Sequence, residues 1–159
     1  MIIIGYPGIG KSTLAGRESG CIDLESSDFK ELFPVGQWVV PYCTMAENLA
    51  KQGFTVFVSS HEAVRSCFYF RETKDLGFIY PSLEMREEWI YKLLNRADDT
   101  KLEKDIRAYK RAEACYLLDI KRMADMAKHY PHCEIESLDY DLLNMVDALE
   151  RKNRRGEKK

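Results

Sequence analysis

The chain has 159 residues, 45% of them hydrophobic and 31% charged, which is the composition of one globular domain that can bury a core. Its formal net charge of −2 gives no indication of a long groove for nucleic acid, although a nucleic-acid partner stays an alternative. No apolar run approaches the roughly 20 residues of a membrane span, and Ile2–Ile4 is too short for a signal peptide, so we expect a cytoplasmic protein without a membrane partner.

The chain begins with a short apolar strand, Ile2–Ile4. The spacing of the residues that follow predicts a helix over 12–19. A second strand is predicted at Cys21–Leu24, and residues 33–40, which include a proline and a glycine, are expected to form a loop. A helix over 41–53 comes next, with proline at its first position and glycine at its end.

The middle of the chain carries the most clearly buried strand. Phe54–Val58 is continuous, apolar and β-branched, as in a parallel strand that is covered on both faces. Ser59 and Glu62 have the spacing of a capping box, which predicts a helix from Ser59 to about residue 70. A short fourth strand at Gly77–Tyr80 precedes a helix that residues 98–100 interrupt.

One long helical pattern dominates the last third of the chain. From Leu102 to about Ala127 the apolar residues follow helical spacing. Glu134–Leu138 is predicted as the fifth strand and Leu142–Leu149 as a closing helix. The basic segment 151–159 has no apolar face, and we expect it to be a disordered tail.

Strands that alternate with helices predict an α/β fold, in which a five-stranded parallel sheet carries helices on both faces. Residues 1–150 would form this one domain, followed by the tail 151–159. Ligands of such sheets bind at the carboxyl ends of the strands. The segments expected to meet there are Gly5–Ser12, Asp23–Asp28, Ser59–His61 and Pro81–Ser82.

The segment after the first strand has the pattern of a phosphate-binding loop, Gly-x-x-x-x-Gly-Lys-Ser from Gly5 to Ser12, which predicts the P-loop NTPase fold. Its glycines let backbone N–H groups turn toward a phosphate, and the following helix points its positive end at the anion. Lys11 would reach the β- and γ-phosphates of ATP, and the Ser12 hydroxyl would bind Mg²⁺. The residues expected to contact the nucleotide here are Gly8, Ile9, Gly10, Lys11, Ser12 and Thr13.

The positions of the acidic residues favour one class of phosphate-loop protein. Hydrolases and motors of this class usually hold Mg²⁺ with a carboxylate at the end of a buried strand. Phe54–Val58 is followed instead by Ser59-Ser60-His61, and the carboxylates Asp23, Glu25 and Asp28 come after the second strand. This arrangement favours a small kinase with carboxylates in its acceptor pocket.

Over nearly its whole length, the chain resembles the P-loop nucleoside and nucleotide kinases, the adenylate- and shikimate-kinase-like group, in particular small phage-encoded members. Ile22-Asp23-Leu24-Glu25 is similar to the strand-two D-x-D element of shikimate-kinase-like enzymes, with Glu for the second Asp. The resemblance implies that Asp23 helps to hold Mg²⁺ through water and that Glu25 meets the acceptor. Asp28 is a further candidate base, similar to the Asp shortly after strand two in polynucleotide kinases.

The segment Lys92-Leu-Leu-Asn-Arg96 resembles the R-[LI]-x-x-R element on the helix that enters the lid of adenylate-kinase-like enzymes, with Lys for the first Arg. The resemblance implies that Lys92 packs on the adenine and that Arg96 contacts phosphates, whose charge spreads over the equatorial oxygens during transfer. The short connection 98–101 implies a short helical lid. Arg107 and Arg111 are candidates for additional clamps.

Several side chains keep two interpretations. Arg65 would face the acceptor or form a surface salt bridge with Glu62 or Glu72. His129, His132 and Cys133 are close enough in sequence to suggest a metal, but with Pro131 among them a turn is the better interpretation. The aromatic residues that would either stack a base or pack in the protein are Trp38, Tyr42, Trp89 and Tyr91.

The leading hypothesis is an ATP- and Mg²⁺-dependent phosphotransferase that acts on a small nucleoside, nucleotide or related metabolite. Transfer to a hydroxyl gains from a carboxylate that takes the proton, so the three carboxylates favour a hydroxyl acceptor, whereas the cations Arg65, Lys92 and Arg96 leave a phosphate acceptor open. One alternative is a kinase of nucleic-acid 5′ ends, which should have a basic channel. Another is a regulatory module that binds a nucleotide without turnover.

Overall fold

Strands and helices alternate along the part of the chain that the computed structural model describes, residues 1–156. In chain order the elements are β1 Ile2–Gly5, α1 Lys11–Ala15, β2 Cys21–Asp23, α2 Ser26–Leu32, α3 Val39–Lys51, β3 Thr55–Ser59, α4 Glu62–Phe70, β4 Leu76–Pro81, α5 Arg86–Thr100, α6 Glu103–Ala127, β5 His132–Ile135 and α7 Leu142–Gly156. Over these residues the fold is α/β, as predicted, with five strands and seven helices. None of the helices described is long and apolar enough to cross a membrane.

The five strands form one parallel sheet in the order β2-β3-β1-β4-β5. The chain leaves β1 toward β2 in one direction across the sheet and leaves the neighbouring strand β3 toward β4 in the other. Because parallel connections are right-handed, the helices that follow β1 and β3 lie on opposite faces. A crevice is therefore expected at the carboxyl ends of these two strands, which is where such sheets bind ligands.

The centre of the sheet is covered on both faces. Every residue of β1 and β4 is buried, and so are the first four residues of β3. The residues of such a strand form a continuous apolar run, which is why the strand could be recognised in the sequence. It was predicted at Phe54–Val58, one residue before the observed β3, Thr55–Ser59. On one face α7 bonds to the sheet, because Glu150 accepts a hydrogen bond of 2.7 Å from the Thr55 hydroxyl of β3.

The helices of the first half of the chain differ from their predicted bounds. α1 ends at Ala15 rather than residue 19. α2 was not predicted; none of its residues is fully buried and only Phe29 packs against the core, so its apolar pattern is too short to recognise in the sequence. α3 begins at Val39, two residues early, and α4 begins at Glu62 instead of Ser59, because Ser59 still pairs in the sheet. His61 caps α4 instead, and its Nδ1 accepts a hydrogen bond of 3.3 Å from the Ala63 N–H.

Two elements of the second half also differ. The interruption predicted at 98–100 is wrong, because α5 continues to Thr100 and ends at Lys101, whose φ of 54° is left-handed. β5 begins at His132, two residues before the predicted start. It is an edge strand with His132 and Glu134 exposed, so only Cys133 and Ile135 face the core and the apolar signal is weak.

The closing helix α7 is longer than the predicted Leu142–Leu149 and includes residues 151–156. This part is therefore helical and not a disordered tail. Two bonds attach it to the sheet: Lys152 Nζ donates to the His132 carbonyl at 3.0 Å, and Asn153 Nδ2 donates to Asp75 at 2.6 Å. The remainder of the predicted tail, residues 157–159, lies outside the described residues.

The hydroxyl of Tyr42 on α3 joins the ends of β2 and β3. It donates to the Leu24 carbonyl at 2.7 Å and accepts from the Ser59 N–H at 2.8 Å. The Tyr42 side chain is fully buried, so water cannot replace either bond. These two strand ends form one side of the crevice, and Tyr42 fixes their separation.

We predict that Tyr42→Phe lowers the free energy of unfolding by about 1–3 kcal/mol, because it leaves two backbone groups unpaired in a buried place. Urea denaturation measures the change. Tyr91→Phe is the matched control, since Tyr91 is 64% exposed, and it should change the free energy by less than about 0.5 kcal/mol. Equal stability of the two variants would contradict the role assigned to the Tyr42 hydroxyl.

Candidate functional site

A cavity of about 580 Å³ lies at the carboxyl ends of β1, β2 and β3. Its walls come from the loop after β1, the start of α2, the segment Ser59–His61 and the first part of α6. The predicted site residues that line it are Gly8, Gly10, Lys11, Ser12, Asp23, Glu25 and Arg96. Those that do not are Ile9, Thr13, Asp28 and Lys92. The segments after three strands meet as expected, whereas Pro81–Ser82 is not part of the lining.

The glycine-rich loop between β1 and α1 needs glycine at two positions. Gly8 and Gly10 have φ angles of 87° and 92°, which other residues rarely adopt. A Cβ on Gly8 would also lie 2.9 Å from Cδ2 of Leu93 on α5. The indole Nε1 of Trp89, one turn earlier on α5, donates to the Pro7 carbonyl at 2.9 Å. α5 thus packs against the loop and holds its conformation.

Lys11 begins α1, and its side chain returns along the loop. Nζ donates to the Gly5 carbonyl at 3.1 Å and to the Tyr6 carbonyl at 3.5 Å. Burial lowers the pKa of Lys11, while the carboxylates of Asp23 and Glu25 act in the opposite direction. A phosphate in the cavity would raise this pKa in the same way as the carboxylates, because an anion favours the charged ammonium.

Ile9 and Thr13, predicted to contact the nucleotide, do not line the cavity, although Ile9 lies between the lining residues Gly8 and Gly10 and Thr13 follows Ser12. The Ile9 side chain is 1% exposed and belongs to the core, so only its backbone is available to a ligand. Thr13 is exposed in the first turn of α1. The loop residues with side chains that line the cavity are therefore Tyr6, Pro7, Lys11 and Ser12.

The Ser12 hydroxyl donates to Asp23 Oδ2 at 2.5 Å, which joins α1 to the end of β2. Hydroxyl and carboxylate oxygens are ligands that Mg²⁺ accepts, and Mg²⁺ keeps several waters, so two protein groups suffice. Among the described residues no group of three or more His, Cys, Asp or Glu side chains is arranged to hold a metal. The pair Ser12 and Asp23 fits Mg²⁺ whose other ligands are water and phosphate oxygens.

The other two predicted carboxylates have different surroundings. Glu25 lines the cavity and forms a salt bridge of 3.0 Å with Lys104 of α6, so it spans from the sheet to the long helix. Ser27 donates to the same carboxylate at 3.4 Å. Asp28 lies exposed on α2, outside the lining. Glu25 is thus in a position to meet a ligand in this cavity, and Asp28 is not.

Arg96 lines the cavity in an ion pair. Its Nη2 lies 2.7 Å from Oδ1 of Asp105, a carboxylate that is 4% exposed. The Thr100 hydroxyl donates to the other oxygen of Asp105 at 2.7 Å. Asp105 therefore holds Arg96 in one orientation at the junction of α5 and α6.

Lys92 lies one turn before Arg96 but against the glycine-rich loop, outside the cavity. Its Nζ is 4.4 Å from the centre of the Trp89 ring and 4.9 Å from that of Tyr140, and it donates to the Tyr140 hydroxyl at 2.9 Å. Burial lowers the pKa of Lys92, and Arg96 adds to this effect. The Tyr140 hydroxyl in turn donates to the Gly8 carbonyl at 3.4 Å. Lys92 therefore binds aromatic rings beside the loop.

Sequence reasoning missed several residues of the lining, chiefly Lys104, Asp105 and Asp119 on α6. The two aspartates lie on the buried face of that helix with Ala112, Tyr116 and Met123. A carboxylate at an apolar position of a helical stripe was the signal that could have revealed them. The apolar residues of α6 predict the helix, whereas its buried face also contains these two aspartates.

The residues with two interpretations are mostly packing residues. Trp89 and Tyr42 are fully buried, Trp38 is 7% exposed, and Tyr91 is exposed. Arg65 is 4% exposed and its Nε donates to the Ser60 carbonyl at 3.0 Å, while Glu62 pairs with Arg122 at 2.9 Å. Arg65 is therefore buried behind the segment Ser59–His61, and within residues 1–156 it forms neither of the alternative salt bridges, with Glu62 or with Glu72.

Neither protein-family models nor curated protein sequences include a match to this chain. Its relationship to the P-loop kinases therefore rests on the motifs in the sequence and stays a prediction.

We predict that Gly8→Ala weakens binding of MgATP by about 10-fold or more and lowers the free energy of unfolding by about 1–3 kcal/mol, because the left-handed backbone disfavours a Cβ and Leu93 leaves no space for one. Gly36→Ala is the control: Gly36 has a φ of 81°, but nothing lies within 4 Å of the added Cβ. Gly36→Ala should therefore have the backbone strain of a left-handed residue without a steric clash, and it should bind MgATP as the wild type does. Equal losses of MgATP binding in both variants would contradict the assignment of the glycine-rich loop to the binding site.

Proposed function

We propose that this chain is an ATP- and Mg²⁺-dependent phosphotransferase with a P-loop fold, which moves the γ-phosphoryl group to a small acceptor such as a nucleoside, nucleotide or related metabolite. The observation that carries the proposal is that Lys11, Ser12, Asp23 and Arg96, from three separate parts of the chain, line one cavity at the end of β1. This is the combination of a phosphate loop, a metal site and a cation that phosphoryl transfer needs.

The phosphate groups would bind in the glycine-rich loop. The backbone N–H groups at the start of α1 and the ammonium of Lys11 supply positive charge there. Lys11 bonds only to backbone carbonyls and forms no salt bridge within residues 1–156, so an incoming phosphate does not have to displace a carboxylate from it. Mg²⁺, when bound at Ser12 and Asp23, would neutralise oxygens of the β- and γ-phosphates.

The nucleoside part of ATP has a candidate position beside the loop. Trp89 and Tyr140 are stacked with their ring centres 6.1 Å apart, and Lys92 lies against both. Tyr140 also contacts the Gly8 carbonyl, so this aromatic group adjoins the phosphate site. We propose that the adenine packs against Lys92 and Tyr140, which are half-buried, and not against Trp89, which is fully buried beside them. Lys92 then has the role that the kinase resemblance implies.

The acceptor would occupy the part of the cavity between β2 and α6. Glu25 lines this part of the cavity and is suited to take a proton from a hydroxyl, whereas Asp23 is assigned to Mg²⁺. The Lys104 ammonium holds Glu25 in place and offsets its charge. The junction of α5 and α6 would act as a short lid, since its Lys104 and Arg96 both face the cavity.

We predict that Lys11→Ala lowers phosphoryl transfer by at least about 100-fold, because it removes charge aimed at the transferred group. Stability should change little, since Lys11 makes only two bonds, both to loop carbonyls. The assay follows label from γ-labelled ATP with Mg²⁺ into a panel of nucleosides, nucleotides and oligonucleotide 5′ ends. Lys51→Ala, an exposed lysine on α3, is the control and should transfer normally.

The panel also separates the alternatives. Normal turnover by Lys11→Ala would contradict the site. Transfer to oligonucleotide ends alone would favour a polynucleotide kinase, and MgATP binding without transfer to any acceptor would favour a regulatory module.

We predict that Arg96→Lys lowers kcat by about 10-fold or more and changes the KM for ATP by less than about twofold, because lysine keeps the charge but loses the planar fork that contacts two oxygens at once. Steady-state kinetics on the acceptor found above measure both constants. Arg122→Lys, in a salt bridge with Glu62 outside the cavity, is the control. A wild-type kcat for Arg96→Lys would contradict a role of Arg96 in phosphoryl transfer and would leave it a structural role only.

A further inference from the structure

The wall of the cavity that α6 forms carries a second ion pair. Nε and Nη2 of Arg111 donate to the two carboxylate oxygens of Asp119, each at 2.8 Å. Both side chains line the cavity together with Tyr6. The Tyr6 carbonyl accepts from Lys11, and the Tyr6 ring packs edge-on against Tyr116, with ring centres 5.7 Å apart. Tyr6 thus connects the glycine-rich loop to the face of α6 that carries Asp119.

Structural needs explain only part of this pair. Asp119 is 8% exposed on the buried face of α6, and its negative charge opposes the lowering of the Arg65 pKa that burial causes, so it compensates a buried arginine. This role does not require Arg111, whose side chain is 59% exposed. A buried carboxylate and an accessible guanidinium that line the same cavity are in position to bind a ligand.

We propose that Asp119 and Arg111 recognise the phosphoryl acceptor by hydrogen bonding to the edge of a nucleobase. The inference rests on the proposed function, because it takes this cavity to hold the acceptor. The bidentate pair leaves Nη1 of Arg111 free to donate and leaves lone pairs on Asp119 free to accept. A nucleobase edge carries an amino or imino donor beside a carbonyl or ring-nitrogen acceptor, which complements the pair.

The charges at this position favour a neutral group over an anion. Asp119 offsets the charge of Arg111, and its carboxylate would repel a phosphate placed beside it. Burial and the Asp119 carboxylate both raise the pKa of Tyr6, so its hydroxyl stays neutral and can donate to a polar ligand. Two further cations of the lining have their own contacts: Arg107 of α6 lies 3.5 Å from Glu103, and Lys30 of α2 lies 4.7 Å from the centre of the Trp38 ring.

The test is calorimetric titration of the whole chain with adenosine, guanosine, cytidine, thymidine, ribose and ribose 5-phosphate. Each titration is done with and without Mg²⁺ and a non-hydrolysable ATP analogue. At least one nucleoside should bind about 10-fold tighter than ribose. Asp119→Asn and Arg111→Lys should each weaken the binding of that nucleoside by about 10- to 100-fold. The first removes the charged acceptor and the second removes the guanidinium donors that would bond to the base. Binding of ribose and of the ATP analogue should stay within about twofold of wild type.

Asp125→Asn is the matched control, because Asp125 is paired with Lys128 at 2.7 Å on the same helix but lies on the surface. It should bind every ligand as the wild type does. If Asp119→Asn does not fold, Arg111→Lys decides, since the Arg111 side chain is 59% exposed and the substitution is tolerated there.

Three results would overturn the inference. The first is that no nucleoside binds better than ribose, and the second is that the folded variants bind the nucleoside as tightly as the wild type does. The third is that Arg111→Lys weakens the binding of ribose 5-phosphate instead of the binding of the nucleoside. Failure of the proposed function looks different. A nucleoside that binds through Asp119 but receives no phosphoryl group from ATP would count against phosphotransfer and support the recognition pair.

Discussion

The central position of β1 determines where the glycine-rich loop of the candidate site lies. Its four residues are buried and pair with β3 on one side and β4 on the other, so the strand cannot shift in register without exposing apolar side chains. The glycine-rich loop leaves the end of this strand, and Trp89 of α5 bonds to it from outside. Hydrophobic burial of one strand thus provides the rigid base on which a polar loop is held.

The cavity combines many charges with little excess of either sign. Within the described residues its lining holds Lys11, Lys30, Arg96, Lys104, Arg107 and Arg111 against Asp23, Glu25, Glu31, Glu103, Asp105 and Asp119. Most of the carboxylates are bonded to a group on another element or another turn, as in Glu25 with Lys104 and Arg96 with Asp105. These pairs fix side chains in place before a ligand arrives, which lowers the cost of ordering them on binding. Lys11 differs in that backbone carbonyls alone hold it.

The long helix α6 organises the side of the cavity opposite the sheet. One face of it packs in the core through Tyr116, Ile120 and Met123, and the same face turns Asp105 and Asp119 toward the cavity. A single helical stripe therefore serves both packing and polar contacts. The cost of burying the two aspartates is offset by Arg96 and Arg111, so the face can carry charge without opening to solvent.

The sequence by itself determined the α/β class, the buried strand at 54–58 and the association of Lys11, Ser12, Asp23 and Glu25, because these depend on local periodicity and on segments close together along the chain. It did not reveal α2, in which only Phe29 packs against the core, or the true start of β5, an edge strand with a weak signal. Arg96 was predicted from the kinase resemblance and does line the cavity, but only the tertiary structure decided that Lys104 and Asp119 reach the same cavity, that Asp28 and Lys92 do not, and that residues 151–156 continue α7. Those outcomes depend on how α5 and α6 pack against the sheet, and contacts between segments so distant in sequence leave no local pattern to read.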